Sequence, residues 1–251
     1  MHTDIVDLRA FYASPLGQMA QRSIAMSLSR LWQPIANERL MGLGYTTPYL
    51  DQFGTDTERV MAFMPAGQGA VRWPKNKPNA TALVFDEDLP LPDSALDRIL
   101  MVHALEHSEN PFETLNEMWR VLSPSGRIVI VVPNRRGLWA RFEHTPFGTG
   151  RPFSSGQLGD LLKSAQFSSL AWSDALHFPP WDRQRLFQMF RATERLGRRM
   201  WPVFSGVTVV EAKKLLYQGT AIRERQSRRV FVPVLSPQGA ASVVKAEEIS
   251  G

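Results

Sequence analysis

Residues 96–132 of the 251-residue chain read LDRILMVHALEHSENPFETLNEMWRVLSPSGRIVIVV, and this stretch decides the fold. Leu96–Val102 and Arg127–Val132 are apolar runs of strand length, and the second is nearly continuous, which is typical of a strand buried on both faces. Between them, Pro111–Leu122 places its apolar residues on one side of a helix, and Ser123–Gly126 ends that helix. Strand, helix and strand in this order predict one unit of a mostly parallel sheet.

Similar segments continue this alternation on both sides. Candidate strands are Glu38–Met41 running into Gly42-Leu43-Gly44, then Arg59–Phe63, Thr81–Phe85, Leu170–His177 and Val207–Leu215, of which the last alternates like an edge strand. Candidate helices are Leu8–Trp32, a short one with Thr47 as its cap, Ser155–Ala165 and a basic one at Trp181–Met200. We therefore expect an N-terminal helical segment (1–37), one α/β domain (38–217) with a basic helical insertion at about 181–200, and a basic C-terminal tail (218–251).

The composition excludes several classes of protein. The chain has no cysteine, which excludes a disulfide framework, a thiolate metal site and a cysteine nucleophile. Its first residues lack the basic start and apolar centre of a signal peptide, and no apolar run is long enough for a membrane span. The sequence therefore predicts a cytoplasmic protein.

The positive charge is concentrated in one region. The formal net charge is +5, yet residues 183–229 alone hold twelve Lys and Arg against three Asp and Glu. Such a patch can attract an anionic partner, including a nucleic acid. Because no nucleic-acid-binding module is recognisable, we favour an amphipathic helix with a solvated basic face.

Residues 86–132 also carry a family resemblance. An acidic loop, Asp88-Leu89-Pro90-Leu91-Pro92-Asp93, precedes the strand at Leu96, and Leu105-Glu106-His107 follows that strand. Glu117, Arg120-Val121-Leu122 and Pro124-Ser125-Gly126 then lead into the next strand. This pattern resembles the class I S-adenosylmethionine-dependent methyltransferases, in their branch of small-molecule and lipid-like enzymes. The resemblance implies a Rossmann-like, mostly parallel seven-stranded sheet, with helices on both faces and an antiparallel last strand.

The resemblance further implies an S-adenosylmethionine site at the carboxyl ends of the strands. The residues that it places there are Gly42, Gly44, Tyr45, Thr46, Met64, Asp88, Leu89, Val102 and His103. Four positions depart from the family pattern. Leu40 stands where the family has an acidic residue before its glycines, and Thr46 stands in place of the third glycine. Met64-Pro65 replaces the carboxylate that holds the ribose, and Phe85 aligns with the aspartate near the adenine.

The loop after Val132 supplies candidates for the acceptor side. We expect Arg135 to bind a small or anionic acceptor and His144 to act as the general base, because loops at the carboxyl ends of strands carry sites and imidazole exchanges protons near neutral pH. We therefore predict methyl transfer to such an acceptor. The altered cofactor motif leaves a second hypothesis, a degenerate methyltransferase-like protein that acts without catalysis as a binding or assembly factor.

One motif has a third interpretation. His103-Ala104-Leu105-Glu106-His107 spells H-x-x-E-H, the inverted zinc-peptidase signature, in which a helix would bring both histidines to one face. Because the flanking residues follow the methyltransferase pattern, we expect the loop after the strand at Leu96–Val102 and the start of the next helix at Glu106 and His107, with no metal ligands.

Overall fold

The computed structural model of the chain describes residues 4–32, 35–53, 56–180 and 205–216. The predicted basic helix at 181–200 and the tail from 218 lie outside these residues, so the proposed domain boundaries stay predictions. The helices are α1 (Ile5–Ala13), α2 (Pro15–Leu31), α3 (Thr47–Leu50), α4 (Pro111–Val121) and α5 (Ser155–Ser164). The strands are β1 (Arg39–Gly44), β2 (Arg59–Pro65), β3 (Thr81–Val84), β4 (Leu96–Val102), β5 (Leu122–Pro133), β6 (Phe167–Ala175) and β7 (Val207–Lys214).

The seven strands form one sheet in the order β3-β2-β1-β4-β5-β7-β6. Strands β1 to β5 pair in parallel, and β7 pairs antiparallel with both β5 and β6. The Rossmann-like fold class is thereby confirmed. The order reverses between β1 and β4, and this is the switch point at which open α/β sheets bind ligands.

The prediction that β7 is an edge strand was wrong. Val207–Lys214 lies between β5 and β6, and seven of its eight residues are buried. The sequence of β7 alternates between apolar and polar residues, but its polar residues are buried with partners. Glu211, for example, accepts a hydrogen bond from Arg127 at 3.1 Å. Strand β6 forms the edge of the sheet on this side, and β3 forms the opposite edge.

Alternate residues of the central strands enter two separate cores. Leu40, Leu100 and Val129 face α1 and α2, together with Trp139 and Phe147. Met41, Ile99 and Ile128 face α4 and α5 on the other side of the sheet. This arrangement explains the continuous apolar runs, since a strand buried on both faces has no polar side.

The segment predicted as one helix from Leu8 to Trp32 is two helices. Pro15 lacks the N–H that a continuous helix would use, and Ser14 takes an extended conformation (φ −73°, ψ 158°) between them. The Ser14 hydroxyl then accepts a hydrogen bond from Gly17 N–H at 3.0 Å and so begins α2. This break lets α1 turn toward the carboxyl ends of the strands.

Two smaller boundaries also differ from the prediction. Residues 123–126, predicted as a turn, begin β5, because Leu122 pairs with Leu96 beyond a bulge. The cap position of α3 is Thr46, and Thr47 is its first residue. No helix among the described residues is both long enough and apolar enough to span a membrane.

Candidate functional site

The end of β1 is a tight glycine turn that is already packed. Gly44 has a φ of +85°, and a Cβ there would lie 2.3 Å from the Val102 carbonyl oxygen, so a glycine is needed where β1 meets β4. At Gly42 a Cβ would lie 2.1 Å from Thr46 Oγ1. The space above Gly42 is therefore filled by the buried side chain of Thr46.

Aromatic side chains fill the switch point between β1 and β4. Tyr12 of α1 is buried there, with its ring centroid 5.2 Å from Tyr45 and 6.3 Å from Tyr49. The Tyr49 hydroxyl donates to the Tyr12 hydroxyl at 3.0 Å. Burial raises the pKa of both phenols, which therefore stay protonated.

The turn after β4 holds a buried imidazole and a buried carboxylate. His103 has a φ of +52°, an unusual conformation for a residue with a side chain. Its Nε2 lies 2.8 Å from the Tyr12 hydroxyl, and its Nδ1 lies 3.3 Å from Glu106 Oε1. His103 and Glu106 are each 1% exposed. Gln68, in the loop after β2, donates its Nε2 to the His103 carbonyl oxygen at 2.8 Å and ties the two loops together.

A small cavity of about 280 Å³ opens at the carboxyl ends of β2, β3 and β4. Three short segments line it: 65–68 after β2, 84–87 after β3, and parts of 103–109 after β4. Its polar groups include the Glu87 carboxylate and Gln68, whose Oε1 is buried and accepts no hydrogen bond from the described residues. Phe85 lies at its rim and is 75% exposed.

A second, larger cavity of about 1030 Å³ adjoins the first one at the same edge of the sheet. It is lined by parts of α1, the turn at 106–109 and the loop at 143–151. His107, Ser108 and Glu109 line both cavities and form the wall between them. The charged residues of this cavity are mostly acidic: Asp7, Glu106, Glu109 and Glu143 face a single guanidinium, Arg151.

The predicted cofactor residues lie close together but are mostly packed away from open space. Of the nine, only His103 lines the small cavity, and Asp88 is exposed outside it. Met64 is buried, and its sulfur accepts the Val71 N–H at 3.4 Å. The Leu89 N–H donates to Glu117 Oε1 at 2.7 Å. Gly42, Gly44, Thr46 and Val102 form the packed centre of the switch point, and Tyr45 lines a third cavity, of about 980 Å³.

The two residues predicted to handle the methyl acceptor, His144 and Arg135, do not lie in the same cavity. His144 lines the larger cavity, with its ring 5.4 Å from that of Phe142. Arg135 is exposed outside that lining, with its Nη1 3.5 Å from Gln157 Oε1.

Sequence reasoning missed Tyr12 and Gln68, which reach the site from segments without a motif. It also missed Glu87, although the acidic loop at 86–88 was the signal for it.

The described residues fit the adenosine part of S-adenosylmethionine better than its methionine part. The small cavity offers a free buried acceptor on Gln68 and a carboxylate on Glu87, which suit the hydroxyl and amine donors of a nucleoside. The methionine part would need the space that Tyr12 and Thr46 fill in this conformation.

Comparisons with known proteins agree with this geometry. A family model described as a methyltransferase domain matches residues 41–130. A Mycolicibacterium smegmatis protein named "Probable S-adenosylmethionine-dependent methyltransferase" is 32% identical over 82 residues, which cover 32% of this chain and 32% of that protein. The match therefore spans only about a third of that relative.

Two solved structures resemble the whole fold. A methyltransferase of Thermotoga maritima that depends on S-adenosylmethionine superposes with a TM-score of 0.59 at 16% identity, covering 84% of this chain and 96% of that one. A Haloferax volcanii protein, described as a methyltransferase and solved with the Trm112 methyltransferase activator, superposes with a TM-score of 0.59 at 16% identity. The match covers 85% of this chain and 99% of that one. At such identities the likeness concerns the fold, while the family model at 41–130 and the 82-residue match concern the sequence. Together they show that residues 41–130 match a methyltransferase domain in sequence and that the fold is the one of S-adenosylmethionine-dependent methyltransferases.

Proposed function

We propose that the chain binds S-adenosylmethionine and transfers its methyl group to a small molecule held in the larger cavity. The observation that carries this proposal is the pair of cavities at the carboxyl edge of the sheet, which share the wall His107–Glu109. One has the size and polar groups for a nucleoside, and the other has room for an acceptor. A methyl transfer needs donor and acceptor held close together and in line, and two adjoining cavities at one edge of the sheet would hold them near each other.

Each residue has a distinct part in this proposal. Gln68 and Glu87 would hold the nucleoside, in place of the carboxylate that Met64-Pro65 lacks. When bound, the cofactor supplies an activated methyl group on a sulfonium. His144 would accept the proton that the acceptor loses, since it lines the larger cavity.

The charge of the larger cavity narrows the acceptor class. Among the described residues of its lining, four carboxylates outnumber one guanidinium, so a neutral or cationic small molecule suits it better than an anionic one. Arg135, which we expected to grip an anion, lies outside this lining. Binding of a nucleic acid through the basic region 183–229 is not part of the proposal.

A second candidate function is binding without catalysis. It is favoured by Tyr12, which fills the switch point, and by Met64-Pro65 at the end of β2, where no carboxylate is available for the ribose. In this case the fold would serve as a binding or assembly factor.

Calorimetric titration with S-adenosylmethionine and S-adenosylhomocysteine separates the two candidates. Micromolar binding would support the methyltransferase, whereas no binding at millimolar cofactor by the folded protein would favour the non-catalytic factor. Gln68→Ala should weaken binding by roughly 2- to 10-fold, as expected for one hydrogen bond. Gln52→Ala, at an exposed position after α3, should leave it unchanged.

His144→Ala tests the acceptor side. If His144 is the base, this variant should bind the cofactor with unchanged affinity and lose roughly 100-fold or more in turnover, the usual contribution of a general base. The measurement is transfer of a labelled methyl group into a fractionated small-molecule extract. Turnover equal to the parent protein would remove His144 from the mechanism.

A further inference from the structure

The turn after β4 brings three metal-binding side chains together. His103, Glu106 and His107 each offer one ligand atom, and these atoms all lie within 4.8 Å of one another. Residues 103–107 form a turn and no helix, so the helical arrangement of the inverted zinc peptidases is absent at this position. We propose that this turn is a binding site for one divalent transition-metal ion, with zinc as the probe.

Glu106 and His103 hold buried polar atoms that make no hydrogen bond with the described residues. Glu106 is 1% exposed, yet neither of its carboxylate oxygens accepts a hydrogen bond from the described residues. His103 Nδ1 is equally buried, and its 3.3 Å contact with Glu106 Oε1 lacks hydrogen-bond geometry. Buried polar atoms of this kind are costly and rare, and each calls for an explanation. A cation between them would satisfy the imidazole nitrogen and the carboxylate at once.

The distances between the ligand atoms are close to those that a zinc ion requires. In a tetrahedral zinc site with bonds of about 2.0–2.1 Å, two ligand atoms are roughly 3.3–3.4 Å apart. His103 Nδ1 and Glu106 Oε1 are already at 3.3 Å. The His107 ligand atom lies no farther than 4.8 Å from the others, so a side-chain adjustment of about 1.5 Å completes the set.

Tyr12 supports the ring of His103 on the side away from Glu106. Metal-binding histidines usually donate their second ring N–H to a nearby acceptor, which fixes the ring and its tautomer. Here Nε2 lies 2.8 Å from the Tyr12 hydroxyl. In the tautomer that donates from Nε2 to Tyr12, the lone pair of Nδ1 points to Glu106 and is available to an ion.

The position of the cluster also leaves room for an exchangeable ligand. His103 and His107 line the small cavity, while Glu106 and His107 line the larger one. Two histidines and one carboxylate give three protein ligands, and catalytic zinc sites keep a fourth position open for water or substrate. The ion would lie at the boundary between the two cavities. This inference does not depend on methyl transfer, because metal binding is measured without cofactor or acceptor.

The test is metal content of the full chain, purified without a histidine tag, equilibrated with zinc sulfate and dialysed. We expect about one zinc per chain, the stoichiometry of a single site. Glu106→Gln and His107→Gln should each lower zinc affinity by at least 10-fold, measured against a chromophoric chelator. Glu109→Gln and His144→Gln are matched controls outside the cluster, and their zinc affinity should equal that of the parent protein.

Tyr12→Phe provides a second measurement if the buried variants fail to fold. It keeps all three ligands and should weaken zinc binding by roughly 10- to 100-fold, as loss of an outer partner does. Zinc should also raise the melting temperature of the parent protein, and a chelator should reverse the rise. A parent protein that retains no zinc, or variants at Glu106 and His107 that bind it as tightly as the parent, would overturn the proposal.

Discussion

At the residue scale, Glu117 shows how one side chain can hold the loop beside the site. Its Oε1 accepts the Leu89 N–H at 2.7 Å and an Arg120 N–H at 2.6 Å, and its Oε2 accepts a second Arg120 N–H at 2.8 Å. Burial works to raise the pKa of Glu117, but Arg120 and the Leu89 N–H outweigh it and lower that pKa. The acidic loop is thus anchored to α4 by a charge.

Glu117→Gln should therefore destabilise the protein. The amide keeps the shape but loses the charge that strengthens three hydrogen bonds, and it turns an N–H toward the Leu89 N–H or Arg120. We expect the free energy of unfolding to fall by about 2 kcal/mol, as for a hydrogen bond to a charged group. Urea denaturation at pH 7 measures this, with exposed Glu58→Gln as the control. Equal midpoints for the two variants would contradict the role of Glu117.

Residues near the strand ends differ in how far the sequence predicts them. Gly44 was placed correctly at the end of β1, because a glycine after an apolar run marks a tight turn. Tyr12 could not be assigned, because its partner His103 is 91 residues away and no local pattern connects them. Gln68 was missed for the same reason, since its contact with His103 depends on how β2 and β4 are ordered in the sheet.

At the element scale, the sequence predicted where the strands lie in the chain better than it predicted which strands pair with each other. Val207–Leu215 was found as a strand, but its place between β5 and β6 follows from pairing, which periodicity does not contain. The α1–α2 break was missed although Ser14-Pro15 signals it, because the apolar spacing continues through it. The site depends on this break, since it directs Tyr12 into the switch point.

Gly17 tests the importance of the α1–α2 junction. A Cβ at this position would lie 1.9 Å from the Phe11 carbonyl oxygen and 2.7 Å from the Tyr12 Cα, both backbone atoms. Gly17→Ala should therefore force the helices apart and destabilise the protein by about 1–3 kcal/mol, the usual cost of overpacking. Thermal unfolding measures the change.

Gly156 of α5 is the matched control for this substitution. Among the described residues, no neighbouring side chain or other segment lies within 4 Å of a Cβ built there. Gly156→Ala should be neutral, or stabilising by up to about 1 kcal/mol through a less flexible unfolded chain. If Gly156→Ala destabilised the protein as much as Gly17→Ala, the effect would come from replacing any helix glycine and not from the α1–α2 junction.

At the scale of the whole molecule, the topology could be predicted because many weak signals agree. Alternating strands and helices, continuous apolar runs and the pattern at 86–132 all favour one fold, and each is local in sequence. The candidate site could be predicted only as a region, the carboxyl edge of the sheet. The open space of the site depends on which side chains fill the switch point. Tyr12 and Thr46 fill it, and the sequence pattern did not predict this packing.

The response of the whole protein to acid follows from carboxylates whose pKa differs from the ordinary value. Hydrogen bonds from Arg39, at 2.9 and 3.1 Å from its side chain and 3.0 Å from its backbone, lower the pKa of Asp97 and join β1 to β4. The pKa of Glu117 is lowered as well. Burial raises the pKa of Asp174, which acts in the opposite direction.

A carboxyl group whose pKa is lower in the native state binds fewer protons there than in the unfolded chain. Its contribution is complete above the unfolded value of about 4 and is lost as the pH falls through the lower native value. Asp97→Asn should therefore reduce stability by about 1 kcal/mol at pH 7, the upper range for a partly exposed ion pair, and by less at pH 3. Urea midpoints from pH 7 to pH 2 measure this, with exposed Asp160→Asn as the control. If the two variants differ from the parent protein by the same amount at every pH, the Arg39–Asp97 pair does not account for the acid sensitivity.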